Sequence, residues 1–206
     1  MRCQSNDFFL PTLLLLALAV GGCASAPSPQ SVNITEKVTS VPAQFDEAQY
    51  IDADAHKVFN AALRDDYNGQ YVRFESVTYD VVSYSLRDGY VSMNVIPGFD
   101  LGPAAYGHLM FPKSDSEVAF NLPRWEPIVV YGQVIVSGSM GVEVQRIESG
   151  PELQLELARR LANSPDSVEW KGAIQSLISK LNLIVPKDDA QKAEIIQLIS
   201  ALDSKE

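Results

Sequence analysis

The chemistry open to this 206-residue chain is confined to a few side chains. Cys3 and Cys23 are its only thiols, and a thiolate is both a nucleophile and a soft-metal ligand. Cys23 closes the segment Val20-Gly21-Gly22-Cys23. The two histidines, His56 and His108, form no H-x-x-x-H or carboxylate-flanked pair at metal-ligand spacing, so no metal site and no cofactor is expected. Carboxylates pair at Asp52/Asp54 and Asp65/Asp66. Such pairs do acid–base work only when held across a cleft; at helix ends they stabilise the N-terminus or face water. There is no G-x-S-x-G elbow and no glycine-rich phosphate loop. The expectation is a protein that is not an enzyme and has no catalytic residues. Seven aromatics, Tyr71, Tyr79, Tyr84, Tyr90, Tyr106, Trp125 and Tyr131, fall in strand-like segments near Arg73, Arg87, Lys113 and Arg124. Rings beside basic side chains are the ingredients of a face that stacks bases, but with so few cations on an acidic domain ordinary barrel and surface packing is the favoured reading of these rings.

The setting of Cys23 is the most specific of these signals. Phe8–Val20 reads FFLPTLLLLALAV, with no charge. As a helix it would be about 20 Å long, short of a comfortable bilayer span but right for a signal-peptide core. Two glycines and a cysteine follow. The arrangement resembles the lipobox of bacterial lipoproteins. That resemblance implies cleavage after Gly22, a diacylglycerol on the Cys23 thiol, and an exported protein held to a membrane by lipid. Ala24 stands where an aspartate would retain such a protein in the inner membrane. The family rule therefore implies the outer membrane, facing the periplasm, in a Gram-negative cell. Cys3 would leave with the signal and Cys23 would be acylated, so no disulfide would staple the mature domain.

Charge narrows the partners. The chain carries a net −10. Residues 44–150 hold 15 acids and 7 bases, and residues 151–206 hold 9 acids and 7 bases. Such a surface repels phosphate backbones, which makes nucleic acid an unfavoured partner and a sugar or peptide a better one.

Stepping outward from these side chains, residues 1–22 read as signal. Residues 23–44, rich in Ser, Pro, Ala and Thr, read as a flexible tether with a mean reach of roughly 25 Å. Ile51, Ala55, Val58, Phe59, Ala62 and Leu63 share a 3.6-residue period, predicting one helix over 46–66, started by Asp52 or a nearby acid and ended at Asn68-Gly69. Five strands follow, over Tyr71–Leu86, Tyr90–Ile96, Tyr106–Phe111, Ile128–Val136 and Met140–Ile147, with one helical turn allowed in 113–126. After Gly150 the helical period returns. Pro151 suits a first helical turn, and Leu153, Leu157 and Leu161 recur every four residues. Ser164-Pro165 opens a helix striped by Val168, Ile174, Leu177, Ile178 and Leu181. A last helix carries Ala193, Ile195, Ile196, Ile199 and Leu202. The fragments 174–181 and 196–202 look alike, and two such helices suit an antiparallel pair.

Tyr71-Val72-Arg73-Phe74-Glu75-Ser76-Val77 and Ile128-Val129-Val130-Tyr131-Gly132-Gln133-Val134 resemble the first and fourth strands of an OB-fold, with Gly132 letting the strand curl at a barrel corner. The likeness is to small OB domains of exported bacterial proteins, which carry a helix before the first strand. The expected fold class is α+β: a five-stranded antiparallel barrel over 45–150, preceded by one helix and followed by two or three helices over 151–206. The expected function is a lipid-anchored, non-catalytic envelope protein whose barrel binds a protein or glycan partner. The alternatives are a binder of single-stranded nucleic acid or another anionic ligand, and an envelope-polymer hydrolase whose acids meet only in the fold.

Overall fold

The computed structural model describes residues 45–60, 64–82, 89–99, 106–137, 139–164 and 170–205. The signal segment, Cys23, the tether, Ala62, Leu63, Tyr84, Arg87, Pro165 and Val168 lie outside the described residues. The chain is α+β. After a 3-10 turn at Glu47–Gln49 come β1 (Ile51–Asp52), α1 (Ala55–Val58), α2 (Arg64–Tyr67), β2 (Tyr71–Val82), β3 (Tyr90–Pro97) and β4 (Gly107–Pro112). A second 3-10 turn, Lys113–Asp115, leads into α3 (Ser116–Asn121). Then follow β5 (Pro127–Ser137), β6 (Ser139–Ser149), α4 (Pro151–Asn163), α5 (Lys171–Leu181) and α6 (Asp189–Asp203).

The single helix expected over 46–66 is instead a 3-10 turn, a two-residue strand and two short helices. The cause is local capping. The Asp46 carboxylate accepts from the Ala48 N–H at 3.0 Å, and that of Asp54 accepts from the His56 N–H at 2.9 Å, so each acid starts its own turn. Between them Ile51 and Asp52 run parallel to Val72 and Arg73 of β2. Ala55 and Val58 are buried as their spacing requires, but Ile51 is 47% exposed.

The sheet has six strands in the order β1-β2-β3-β4-β6-β5, and β5 pairs again with β2. It is mixed: β1/β2 and β4/β6 are parallel, the other pairs antiparallel. This corrects the expectation of five antiparallel strands. The added strand is β1, which the helical period had hidden. The parallel β4/β6 pair follows from parity. In the circuit β2-β3-β4-β6-β5, strands cannot alternate in direction all the way round when their number is odd, so at least one neighbouring pair must run the same way.

Alternation along the strands sends Val72, Phe74, Met93, Val95, Leu109, Phe111, Val130 and Val142 into one buried cluster, joined by Ala55 and Val58 of α1 and Ala119 of α3. β5 shifts register between Tyr131 and Gly132. A Cβ on Gly132 would lie 2.5 Å from the Glu143 carbonyl oxygen, so only glycine permits that approach.

The C-terminal helices close a second buried cluster against the sheet. Val77, Ile96 and Phe99 from the sheet side are buried with Leu155, Leu157, Leu161, Ile174, Leu177 and Leu202. The look-alike fragments are used differently. Ile174 is fully buried, while the matching Ile196 is 59% exposed and Ile195 and Leu198 face inward instead. Among the described residues no helix is long and apolar enough to cross a membrane.

Candidate functional site: an aromatic face on a left-handed turn

Four aromatic side chains from four parts of the chain converge beside β2. Tyr79 sits where the β2/β3 register shifts between Thr78 and Asp80, a bulge that re-aims one side chain. Its ring centroid lies 4.8 Å from that of Tyr106, just before β4, and 5.2 Å from that of Trp125, in the turn before β5. Trp125 meets Trp170, at the foot of α5, edge to face at 5.6 Å. The Arg124 guanidinium is 4.4 Å from the Tyr79 ring and 4.8 Å from that of Trp125, and its other neighbour is Asp80 at 3.9 Å. Tyr106 is 42% exposed; Tyr79, Trp125 and Trp170 are each half-buried. A hydrogen bond with Tyr79 raises the Tyr106 phenol above its ordinary value of 10.0.

Trp125 has φ 62° and is the non-glycine residue with positive φ among those described. That conformation costs a bulky residue on the order of 1–3 kcal/mol and persists only where neighbours enforce it. Here they do. The Trp125 N–H donates to the Thr78 carbonyl, and the Thr78 N–H to that of Glu126, both at 2.9 Å. The Thr78 hydroxyl accepts from the Glu126 N–H at 2.8 Å and donates to the Pro123 carbonyl at 2.5 Å. From the helical side, Lys180 Nζ donates to the Trp125 carbonyl and to the buried Glu126 carboxylate, each at 2.7 Å. Gln154 Nε2 donates to the other Glu126 oxygen at 3.1 Å. The turn is thus fixed from β2, α4 and α5 together, with two half-open tryptophans as the result.

The aromatic residues singled out in the sequence divide into separate places among the described residues. Tyr79, Tyr106 and Trp125 meet, with Arg124. Tyr71 and Tyr131 belong to a second cluster with Phe45 and Tyr50. There Arg73 donates to the Tyr131 hydroxyl and pairs with Asp52 at 2.9 Å, and these contacts hold Arg73 firmly charged. The Tyr90 hydroxyl donates to Glu143, and Lys113 is in the turn after β4. Trp170, Thr78, Glu126 and Lys180 were not legible as site residues. The sequence does carry one hint: its two tryptophans, Trp125 and Trp170, are both here.

The acids and histidines lie elsewhere. A cleft of about 460 Å³ is lined by Asp52, Asp54, His56, Arg73, Glu75 and Arg160, among others. Its carboxylates already have structural partners: Asp52 with Arg73, Glu75 with Arg160 at 2.8 Å, and Asp54 with the start of α1. Asp65 and Asp66 lie on α2. His108, on β4 opposite Asn94, is remote in the chain from that cleft's His56, and its Nδ1 is buried without a hydrogen bond. Among the described residues no three His, Cys, Asp or Glu side chains group as a metal site.

No family model matches the chain, and no curated protein sequence does. Solved structures offer partial likeness. An OBody bound to hen egg-white lysozyme is 16% identical, with 41% of this chain and 83% of that one covered and a TM-score of 0.34. The asparaginyl-tRNA synthetase of Pyrococcus horikoshii is 17% identical over 57% of this chain, at TM-score 0.32; the match spans only 30% of the synthetase chain. A replication protein A heterotrimer bound to single-stranded DNA is 11% identical over 47% of this chain and 68% of that one, at TM-score 0.31.

Proposed function

We propose that this is a lipid-anchored, non-catalytic protein of the bacterial envelope, built on an OB-type barrel, that binds a saccharide through the face formed by Tyr79, Tyr106, Trp125 and Trp170. The barrel reading rests on the circuit β2-β3-β4-β6-β5-β2, with α3 inserted in the chain between β4 and β5. The anchor rests on the lipobox-like segment ending at Cys23, and with it an exported location, in the outer membrane facing the periplasm for a Gram-negative source.

The observation that carries the binding face is Trp125. A buried charged pair and a threonine network hold a tryptophan in a costly backbone conformation and leave its ring half-open beside three others. Strain held at one point by surrounding structure clusters at functional sites, and that supports reading this turn as a binding feature. Rings of this kind stack on the apolar faces of sugars, and among the described residues the guanidinium beside them, that of Arg124, is already seated between two rings and near Asp80. A single balanced cation on an acidic domain suits a neutral ligand better than a polyphosphate.

Both tryptophans lie in the face, so intrinsic fluorescence reads it directly. Titration with N-acetylglucosamine oligomers should shift the emission and saturate, and Trp125→Phe should weaken the response. A flat titration refutes the saccharide reading. A response to oligothymidylate that fades with added salt would put an anionic ligand there instead.

A further inference from the structure

The connection between α5 and α6 turns two large apolar side chains outward. Leu183 is 81% exposed and Val185 is 85% exposed, the most open of the large hydrophobics among the described residues. They do not sit on a loose loop. Ile184, between them, packs into the helical core. The Leu183 N–H donates to the Lys180 carbonyl at 2.9 Å and the Ile184 N–H to that of Leu181 at 3.2 Å. A pinned loop that shows alternate residues to solvent, with these backbone groups already satisfied, can enter an apolar phase without stranding those N–H groups.

The place of this loop says which apolar phase. Lys187 Nζ pairs with Glu152 at 2.5 Å, so the end of the loop touches the first turn of α4. Val185 is two residues away, at most about 7 Å along the chain. The next residue of that same turn, Leu153, packs on the cluster of Tyr50, Val129 and Tyr131, which also receives Phe45. Phe45 is where the chain comes in from the 23–44 segment. The exposed loop thus reaches the first turn of α4 through Glu152, and the entry of the tether packs on the cluster that Leu153 of that turn also joins. Resting on the reading of Cys23 as a lipid anchor, we infer that Leu183 and Val185 form a second membrane contact, seated in the interfacial layer of the bilayer that holds the lipid. The surface would be drawn by apolar burial more than by charge, because Lys187 is balanced by Glu152 and followed by Asp188 and Asp189. Two points of attachment at one end would orient the domain on the membrane, where a lipid on a free tether alone would leave it tumbling.

The test uses the full chain, made in a lipoprotein-processing cell and reconstituted into vesicles of phosphatidylethanolamine and phosphatidylglycerol. Val185→Cys, labelled with an environment-sensitive fluorophore, is compared with Phe120→Cys on α3, a residue 57% exposed. A second loop variant, Leu183→Cys, guards against a local effect at one position. The loop probes should emit at shorter wavelength on vesicles and be quenched by nitroxide on lipid chains, unchanged by salt, while the Phe120 probe stays accessible to aqueous iodide. Loop probes that remain as wet as the Phe120 probe, on a chain whose mass shows lipid on Cys23, overturn the membrane seat and leave the anchor standing. A mature chain without lipid on Cys23 overturns both.

Discussion

Lys180 is the side chain on which the aromatic face and the helical layer jointly depend, and replacing it with methionine tests that dependence. The ammonium binds the Glu126 carboxylate and the Trp125 carbonyl at 2.7 Å each, with the two charged side chains 16% and 7% exposed. Lys180→Met keeps the aliphatic stem and deletes the charge. It leaves Glu126 with only its Gln154 contact, at 3.1 Å, and leaves the Trp125 carbonyl without that donor. Stranding one partner of a buried pair costs roughly 3–5 kcal/mol, and the opening at Lys180 admits enough water to place this case near the lower end. The lost carbonyl bond adds about 1 kcal/mol. At a few degrees per kcal/mol for a domain of this size, the melting temperature should fall by about 10 °C. Thermal unfolding followed by circular dichroism measures that fall, and tryptophan emission should move to the red as Trp125 relaxes. The double variant Lys180→Met/Glu126→Gln removes the stranded charge and should recover about 2 kcal/mol relative to the sum of the singles. A loss under about 1 kcal/mol for Lys180→Met, or strict additivity in the cycle, refutes the pair as the clamp. Destabilisation with unchanged emission would sever the pair from the conformation of Trp125.

Three other perturbations probe neighbouring features. Thr78→Val removes the hydroxyl that serves Glu126 and Pro123, and urea unfolding should register a loss of about 1–3 kcal/mol for the stranded backbone groups. Gly132→Ala drives a Cβ to 2.5 Å from the Glu143 carbonyl oxygen and from Val142 Cγ1; a melting curve should show about 1–3 kcal/mol of overpacking cost. Hydrogen bonds from Arg159 and Arg160 hold the Glu194 and Glu156 carboxyls below their ordinary 4.5. A depressed carboxylate contributes stability that is complete above the unfolded value and lost as pH falls through the folded one. Unfolding free energy should therefore drop as pH falls below about 4.5, and Glu194→Gln should flatten that slope by less than about 1 kcal/mol, because these side chains are over a third exposed.

How much of this was legible in the residues depended on range. Strand positions were readable because β-branched alternation is a local signal: β2, β3, β5 and β6 begin at or within a residue of where the pattern starts. Gly132 was singled out through the resemblance of its strand, and the structure places a register shift and a close backbone approach there. The first helix was not, because Ile51 extends the apolar period of Ala55 and Val58 by chance, while the acids that divide the segment, Asp46 and Asp54, act through caps that a periodicity count does not weigh. Strand direction was not readable from any one segment. It is a property of the whole circuit, and the parallel β4/β6 pair appears only once the order of five strands is known.

The site fails to appear in the sequence for a stronger reason. Tyr79, Tyr106 and Trp125 come from the sheet segment 45–150, and their shared strand-like setting marked them as candidates. The residues that make them a site do not look like binding residues at all. Glu126 reads as an ordinary acid before a strand, Lys180 as the last-turn cation of an exposed helix, and Gln154 as surface. Each is buried because the helical layer closes over the turn. It follows that the segments 45–150 and 151–206 cannot be separated without dismantling the turn that holds Trp125. A chain ended at Gly150 would lack Trp170, Lys180 and Gln154, so Glu126 would lose its side-chain partners and nothing from the helices would hold Trp125 at positive φ. Val77, Ile96 and Phe99 would be uncovered at the same time. The sheet segment supplies Tyr79, Tyr106 and Trp125 and the helical segment supplies Trp170, while Lys180 and Gln154 set the geometry of the turn, so any ligand that reads that geometry reads both parts of the chain.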